Sequence, residues 1–258
     1  MSTPKLFLST VLSVLCLTVL AFDVSAGEVQ QKGTHLKIQF DKDASEQISV
    51  EGTGLGEVSV TMWSETPATV SQFSNVRNIS VKGSPLEDSL WIDDTVEIAG
   101  NLTIKSGAGD DEIFVSGIYA KNVKVSLGDG DDVHYEDGNF LVVGGSYSVK
   151  AGEGEDELDW DQHITVGKSM SLHAGTPEAG SAFGEGEMSL GGGYTYTIGN
   201  KLSITLTKRG GQIAELEGVS ANLLSVRGGK GEDTLDLSEG GNSFGKTKFK
   251  KVETILTP

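Results

Sequence analysis

The chain has 258 residues, of which 37 are Asp or Glu and 20 are Lys or Arg, so its formal net charge is −17. A surface this acidic repels nucleic acid and anionic lipid headgroups and attracts cations, so we expect no nucleic-acid partner. The 35 Gly residues, the 5 Pro residues and the short alternating apolar runs are typical of a β-protein rather than a helical one.

Residues 1–26 have the features of a secretory signal segment. Lys5 precedes an apolar run, and Val24-Ser25-Ala26 forms a small-x-small cleavage motif before Gly27. We therefore expect a secreted, extracellular or cell-surface protein with no transmembrane segment after cleavage, with the periplasm as another destination. A retained membrane anchor and a lipid-modified Cys16 are the alternatives. The mature chain has no other cysteine, so disulfides cannot stabilise it.

Residues 27–56 predict strands of an N-terminal cap, and residues 244–258 predict a C-terminal cap. Residues 57–243 between them contain a repeated strand followed by a glycine turn. Its second inward-facing position recurs mostly at intervals of 20–24 residues, with one interval of 34, at Val81, Ile104, Val125, Val149, Leu172, Leu206 and Val226. The segment EVSVTMW from Glu57 resembles an earlier copy of the same strand. The long interval contains a loop beginning near Gly175.

A unit of this length cannot bury its own apolar face, so successive units must stack. Equivalent strands would then pair in parallel at a spacing of ~4.8 Å. We predict an all-β protein, a right-handed parallel β-helix (β-solenoid) of about seven or eight rungs. An antiparallel β-sandwich also explains the alternation of apolar and polar residues, but it does not explain why the same turn recurs.

Two acids follow the glycine turn in each clear copy of the repeat. They are Asp110 and Asp111, Asp131 and Asp132, Glu155 and Asp156, and Glu232 and Asp233, with an imperfect copy at Glu87 and Asp88. Stacking would bring these carboxylates within ~5 Å, where two like charges repel by about 3 kcal/mol at an effective dielectric constant of about 20. Oxygen ligands and irregular geometry suit Ca²⁺, so the pattern predicts calcium along the edge of the solenoid that the glycine turns form.

The turns resemble the calcium-binding nonapeptide of the RTX, or haemolysin-type, family. GGKGEDTLD from Gly228 fits the pattern G-G-x-G-x-D-x-apolar-x, and SGAGDDEIF and AGEGEDELD fit except at the first glycine. LGDGDDVHY departs further, because His134 stands at the apolar position and suggests a strand slipped by one residue. The resemblance implies that turn carbonyls and Asp111, Asp132, Asp156 and Asp233 hold Ca²⁺ between adjacent coils.

This sequence departs from that family in two ways. One motif occurs per unit of 20–24 residues, so calcium would line a single edge, and Asp233 has no intact neighbouring motif. A basic column also precedes the turns, at Lys82, Lys105, Lys150 and Arg227. Salt bridges between this column and the acids are therefore the alternative to a metal.

An aromatic row is predicted on the outward face of the second strand, at Trp91, Phe114 and Tyr135. Either the rings are covered by another part of the chain, or they stack on the sugars of a polysaccharide.

No nucleophile elbow, HExxH motif or Ser-His-Asp set is present. We therefore expect no enzyme, but a calcium-binding solenoid with a structural, adhesive or matrix-binding role and some capacity for self-association. An extracellular polysaccharide-binding or polysaccharide-degrading β-helix protein is the alternative, in which Lys105 or Lys150 beside an aspartate would act as a base.

Overall fold

A computed structural model describes residues 27–63, 68–93, 95–175, 187–206 and 212–258. The signal segment predicted for residues 1–26 and most of the predicted long loop lie outside these ranges. Throughout the described ranges the chain is built of β-strands and has no helix, and so no helix that could cross a membrane.

The strands are β1 (Glu28–Lys32), β2 (His35–Gln39), β3 (Gln47–Gly54), β4 (Glu57–Met62), β5 (Thr69–Phe73), β6 (Asn78–Lys82), β7 (Ser89–Ile92), β8 (Val96–Glu97), β9 (Asn101–Ala108), β10 (Glu112–Val115), β11 (Ile118–Ala120), β12 (Asn122–Asp129), β13 (Val133–Val143), β14 (Tyr147–Lys150), β15 (Glu157–Val166), β16 (Ser169–His173), β17 (Glu187–Leu190), β18 (Tyr196–Thr205), β19 (Ile213–Leu216), β20 (Val219–Arg227), β21 (Thr234–Asp236), β22 (Ser243–Lys250) and β23 (Thr254–Leu256).

These strands stack in three parallel columns. The first column contains β2, β6, β9, β12, β14, β16, the second half of β18, the second half of β20, and β22. The second contains β3, β7, β10, the start of β13, the start of β15, then β17, β19, β21 and β23. The third is shorter and runs from β8 through β11 to the later part of β13 and beyond. This confirms the predicted β-solenoid, with about seven turns, and excludes the antiparallel sandwich.

The core forms because alternate residues of each strand point into the coil. In the first column the inward positions are Leu36, Ile79, Leu102, Val123, Tyr147, Met170, Leu202 and Leu224, each at most 3% exposed. Each rung supplies only a few apolar side chains, but the stack joins them into one continuous core. Hydrophobic burial is therefore shared along the whole axis and does not belong to any single repeat.

Asparagines join the first rungs at the start of the first column. The Asn122 side-chain amide donates to Asn101 Oδ1 at 2.8 Å, and the backbone N–H of Asn101 donates to Asn78 Oδ1 at 2.9 Å. These bonds satisfy polar groups at the corner where the chain enters each new rung.

Two details of the predicted alignment are wrong. The strand beginning at Glu57 is not an earlier copy, because β4 pairs antiparallel with β3 and β5 while β2 stacks on β6. Ile204, not Leu206, lies between Leu172 and Val226 in the column. A shift of two residues keeps the same side chains inward, so alternation alone could not choose between the two registers.

The predicted slip of the strand at His134 is also wrong. His134 lies in register between Ile113 and Leu158, points into the core and is fully buried. The strand keeps its register because the buried imidazole finds hydrogen-bond partners inside the coil.

The two ends of the solenoid differ. At the start, β1 pairs antiparallel with β2, and β4 and β5 form an antiparallel sheet beside β3. At the other end, β22 and β23 add a further parallel rung. Phe249 and Ile255, at inward positions of that rung, are each 39% exposed, so the described chain leaves this end of the core open.

Candidate functional site

Glycines allow successive turns to lie directly on one another. A Cβ atom at Gly128 would lie 1.9 Å from the carbonyl oxygen of Gly107, and one at Gly152 would lie 1.6 Å from that of Gly128. Gly107 and Gly128 also have φ angles of 136° and 151°, which side chains with a Cβ rarely adopt. The Gly-x-Gly pattern is therefore required by close backbone stacking, whether or not an ion is bound.

The second acid of each pair points inward, and together these residues form an inner acid column. Asp88, Asp111, Asp132, Asp156 and Asp233 are at most 4% exposed. In the central turns each carboxylate accepts the backbone N–H of its counterpart one rung earlier: Asp111 Oδ1 from Asp88 at 2.8 Å, Asp132 Oδ1 from Asp111 at 2.9 Å, and Asp156 Oδ1 from Asp132 at 3.2 Å. These aspartates therefore join one rung to the next.

The inner acid column extends further than the motif predicts. Glu253 Oε2 accepts the N–H of Asp233 at 3.0 Å, and Asp233 Oδ1 accepts the N–H of Gln212 at 3.3 Å. At the other end, buried Glu46 precedes β3 as Asp88 precedes β7. Sequence reasoning missed Glu46 and Glu253 because neither follows a glycine motif. The signal that could have found them is their position, because each directly precedes a strand of the second column.

The first acid of each pair points outward and bonds in the opposite direction. Asp110, Asp131 and Glu155 are exposed and form the outer acid column. Asp110 Oδ1 accepts the N–H of Asp131 at 2.9 Å, and Asp131 Oδ1 accepts the N–H of Glu155 at 2.8 Å, both from the following rung. In the central turns, the inner acid therefore bonds to the preceding rung and the outer acid to the following rung.

The buried carboxyls lack full compensation for their loss of solvent. Burial, together with the smaller effect of neighbouring aspartates, raises the pKa of Asp111, Asp132 and Asp156 to about 7, against an ordinary value of 3.8. Burial also raises the pKa of Asp88 and Asp233. Within the described ranges, Oδ2 of Asp111 and Oδ2 of Asp132 are buried and have no hydrogen-bond partner.

The lysine column does not neutralise these acids. The ion pairs found in the described part of the chain join Lys42 to Asp43 and His134 to Glu136. Neither involves the basic side chains at Lys82, Lys105 or Lys150, so the predicted salt bridges between neighbouring columns are not formed there.

Among the described residues, no three His, Cys, Asp or Glu side chains converge in the geometry of a metal site. The side-chain donors on this edge are carboxylate oxygens with one oxygen already accepting a backbone N–H. A hard cation that also takes carbonyl and water oxygens suits that donor set, whereas a metal needing several side-chain ligands does not.

The three predicted aromatic residues share one column. The rings of Trp91 and Phe114 stack with centroids 4.1 Å apart and planes 17° apart, and Tyr135 meets Phe114 edge-on at 6.3 Å. Tyr135 also donates its hydroxyl to Asp161 Oδ2 at 3.1 Å. The rings of Phe114 and Tyr135 therefore contact other side chains, while Trp91 remains 42% exposed.

A buried polar cluster lies inside the coil and was not predicted. His134 Nε2 lies 3.1 Å from Glu136 Oε1 and 3.2 Å from the Tyr147 hydroxyl, which also bonds to Glu136. Trp160 Nε1 donates to the Tyr147 hydroxyl at 3.0 Å, and Gln162 Nε2 donates to Glu136 Oε2 at 3.2 Å. All five side chains are fully buried. The only signal in the sequence was a histidine at an apolar position.

No family model, no curated protein and no solved structure matches this chain.

Proposed function

We propose that this protein is an exported β-solenoid that binds Ca²⁺ along the edge formed by its glycine turns and has a structural, adhesive or surface-binding role. The observation that carries the proposal is Asp132. Its carboxylate is buried between those of Asp111 and Asp156 on consecutive rungs, and its Oδ2 atom has no hydrogen-bond partner among the described residues.

The physical reason for a cation is the cost of buried like charges. Neighbouring carboxylates one rung apart repel by about 3 kcal/mol each at an effective dielectric constant of about 20. Several such contacts are a large part of the stability of a domain. A divalent cation would relieve this repulsion and would stabilise the folded chain over the unfolded one.

The residues that would hold calcium are those of the three consecutive motifs. Asp111, Asp132 and Asp156 offer their inner oxygens, the outer acid column of Asp110, Asp131 and Glu155 adds exposed carboxylates, and the turn carbonyls complete an all-oxygen set. Asp233 is a weaker candidate because both of its oxygens already accept backbone N–H groups, from Gln212 and Gly229.

Calcium binding is tested by replacing two acids of the inner column. Millimolar Ca²⁺ should raise the melting temperature of the wild-type protein above that in chelator. Asp132→Asn combined with Asp156→Asn should abolish most of that rise, because asparagine keeps the acceptor for the backbone N–H but removes the charge. Differential scanning calorimetry in Ca²⁺ and in chelator measures both effects.

The matched control is Asp137→Asn with Glu157→Gln, which removes two exposed charges on β13 and β15. This variant should keep the wild-type response. The same melting temperature in Ca²⁺ and in chelator for the wild-type protein would contradict the proposal.

Polysaccharide binding is a second candidate function. Trp63 and Trp91 are 45% and 42% exposed and line one groove of about 330 Å³ together with Glu51, Asp93 and the buried hydroxyl of Ser49. Half-exposed indoles beside polar groups suit a sugar ring. Trp91→Ala should abolish retention on a panel of immobilised neutral glycans, with Tyr119→Ala, an exposed aromatic elsewhere, as the control. Absence of retention by the wild-type protein would remove this candidate.

A further inference from the structure

The outward side chains of the first column form a face without carboxylates. We define the basic face as the three outward-facing positions that each rung contributes to the first column. Its residues are His35, Lys37, Gln39, Asn78, Ser80, Lys82, Asn101, Thr103, Lys105, Asn122, Lys124, Ser126, Ser146, Ser148, Lys150, Ser169, Ser171, His173, Lys201, Ser203, Thr205, Leu223, Ser225, Arg227, Lys246, Lys248 and Lys250. None of these is Asp or Glu.

The basic face concentrates positive charge on an otherwise acidic molecule. It holds Lys37, Lys82, Lys105, Lys124, Lys150, Lys201, Arg227, Lys246, Lys248 and Lys250, which are 10 of the 20 Lys and Arg residues in the chain. The remainder of the chain contains the other 10 Lys and Arg residues and all 37 Asp and Glu residues, so its formal net charge is −27. The fold therefore separates charges that are mixed along the sequence.

A groove marks one edge of the basic face. It has a volume of about 550 Å³ and is lined by Lys42, Lys82 and Lys105, by Ser84 and Ser126, and by backbone of the glycine turns, with no acid in its lining. Lys82 and Lys105 are exposed and form no ion pair within the described ranges. Two exposed lysines on adjacent rungs are therefore not paired with an acid of the described chain.

We propose that the basic face binds an acidic polysaccharide, which lies along the solenoid axis with its anionic groups on the lysines and its hydroxyls on the serine and threonine rows. The groove at Lys82 and Lys105 is the principal contact. This partner does not depend on calcium and occupies a different surface from the Trp63–Trp91 groove.

Three properties of the face favour this class of partner. The positions between lysines are mostly hydroxyl groups, which bond to sugar hydroxyls as donors and acceptors. The rungs repeat every ~4.8 Å, so a linear polymer meets the same chemistry many times, and weak contacts add. At physiological salt the screening length is about 8 Å, so a polymer on this face responds mainly to the charges nearest to it, which include the lysines that it contacts.

Binding is tested with dextran sulfate and dextran, which share a backbone and differ in charge. The purified protein should bind dextran sulfate at about 50 mM NaCl at least about tenfold more tightly than dextran, and added salt should weaken the binding as counterions compete. Lys82→Glu with Lys105→Glu should weaken it about tenfold. Biolayer interferometry measures each affinity, and thermal melting confirms that each variant is folded.

The charge-matched control is Lys121→Glu with Lys168→Glu, which changes two exposed lysines that are not part of the basic face. This variant should keep its affinity within about twofold of the wild-type value. Each comparison is made in Ca²⁺ and again in chelator, which separates this site from any bridging by calcium. Trp91→Ala should also have no effect.

Equal loss in both double variants would overturn the assignment to this face. Equal affinity for dextran and dextran sulfate would overturn the electrostatic basis of the proposal. Duplex DNA bound as tightly as dextran sulfate would overturn the assignment to a polysaccharide.

Discussion

The aspartates of the inner acid column serve a structural purpose that does not require a metal. Each central residue accepts a backbone N–H from the rung before it, which satisfies a donor that the turn would otherwise bury. The same bond recurs at Glu253, outside any calcium-type motif. Calcium would therefore be a second use of carboxylates that the fold already requires. The two uses can be separated at Asp132, whose Oδ2 atom has no hydrogen-bond partner among the described residues.

The raised pKa values predict how stability depends on pH without calcium. In Asp111, Asp132 and Asp156 the folded-state pKa of about 7 lies above the ordinary value of 3.8, so the folded protein holds these protons more tightly than the unfolded chain. Their contribution to the free energy of unfolding should therefore decrease as pH rises from about 4 to about 7 and stay constant above that. Asp132→Asn should remove about one third of this dependence.

The measurement is the melting temperature in chelator between pH 4.5 and 8, compared with Asp137→Asn, which changes an exposed acid. At pH 8 the effect of Asp132→Asn should change sign with calcium. The variant should melt higher than wild type in chelator, because a buried charge is gone, and lower in Ca²⁺, because a ligand is gone. The same shift in both buffers would show that Asp132 does not bind the ion.

At the scale of strands, β13, β14 and β15 bury a connected polar cluster inside a mostly apolar core. Tyr147 connects this cluster, because its hydroxyl contacts Glu136, His134 and Trp160. Burial and the nearby Glu136 raise the pKa of Tyr147 well above its ordinary value, so the hydroxyl keeps its proton as a donor. Such a network fixes the pairing of these strands only while each member keeps its partners.

Removing one hydroxyl should therefore destabilise the central rungs. Tyr147→Phe leaves the Trp160 N–H without its acceptor and removes a donor from Glu136, and we expect a loss of about 1–3 kcal/mol in the free energy of unfolding. Urea denaturation measures the loss. Tyr119→Phe, at a tyrosine that is 43% exposed, should change stability little. A loss no larger at Tyr147 than at Tyr119 would mean that the cluster adds no stability.

For the whole molecule, winding converts short sequence patterns into long surfaces. Successive rungs add members to the apolar core, the acid columns and the basic face, and three of them carry the aromatic row, so these surfaces extend along the axis instead of closing into one pocket. The second column carries acids outward, at Glu112, Asp137, Glu157, Asp159 and Asp161, whereas the first carries lysines. Two faces of opposite charge would keep the proposed calcium sites apart from the proposed site for an acidic polysaccharide.

Much of the fold could be predicted because stacking repeats one local rule. The spacing of the glycine turns and the alternation of apolar residues predicted parallel rungs, the acid columns and the aromatic row. The register near Ile204, the antiparallel pairing of β4 and the polar cluster around Glu136 could not be predicted, because a shift of two residues preserves alternation and a buried charge gives no periodic signal.

The order of residues is enough to require a coil, because short apolar strands separated by glycine turns can bury their faces only against neighbouring copies. The contacts between side chains of one rung and those of the next could be read only from the folded chain. It showed that the carboxylates bond to backbone N–H groups rather than to lysines, and that the lysines, scattered along the chain, gather on one face. The physical reason is that these contacts join residues about one rung apart, and their partners are set by the register of the coil, which the order of residues does not display.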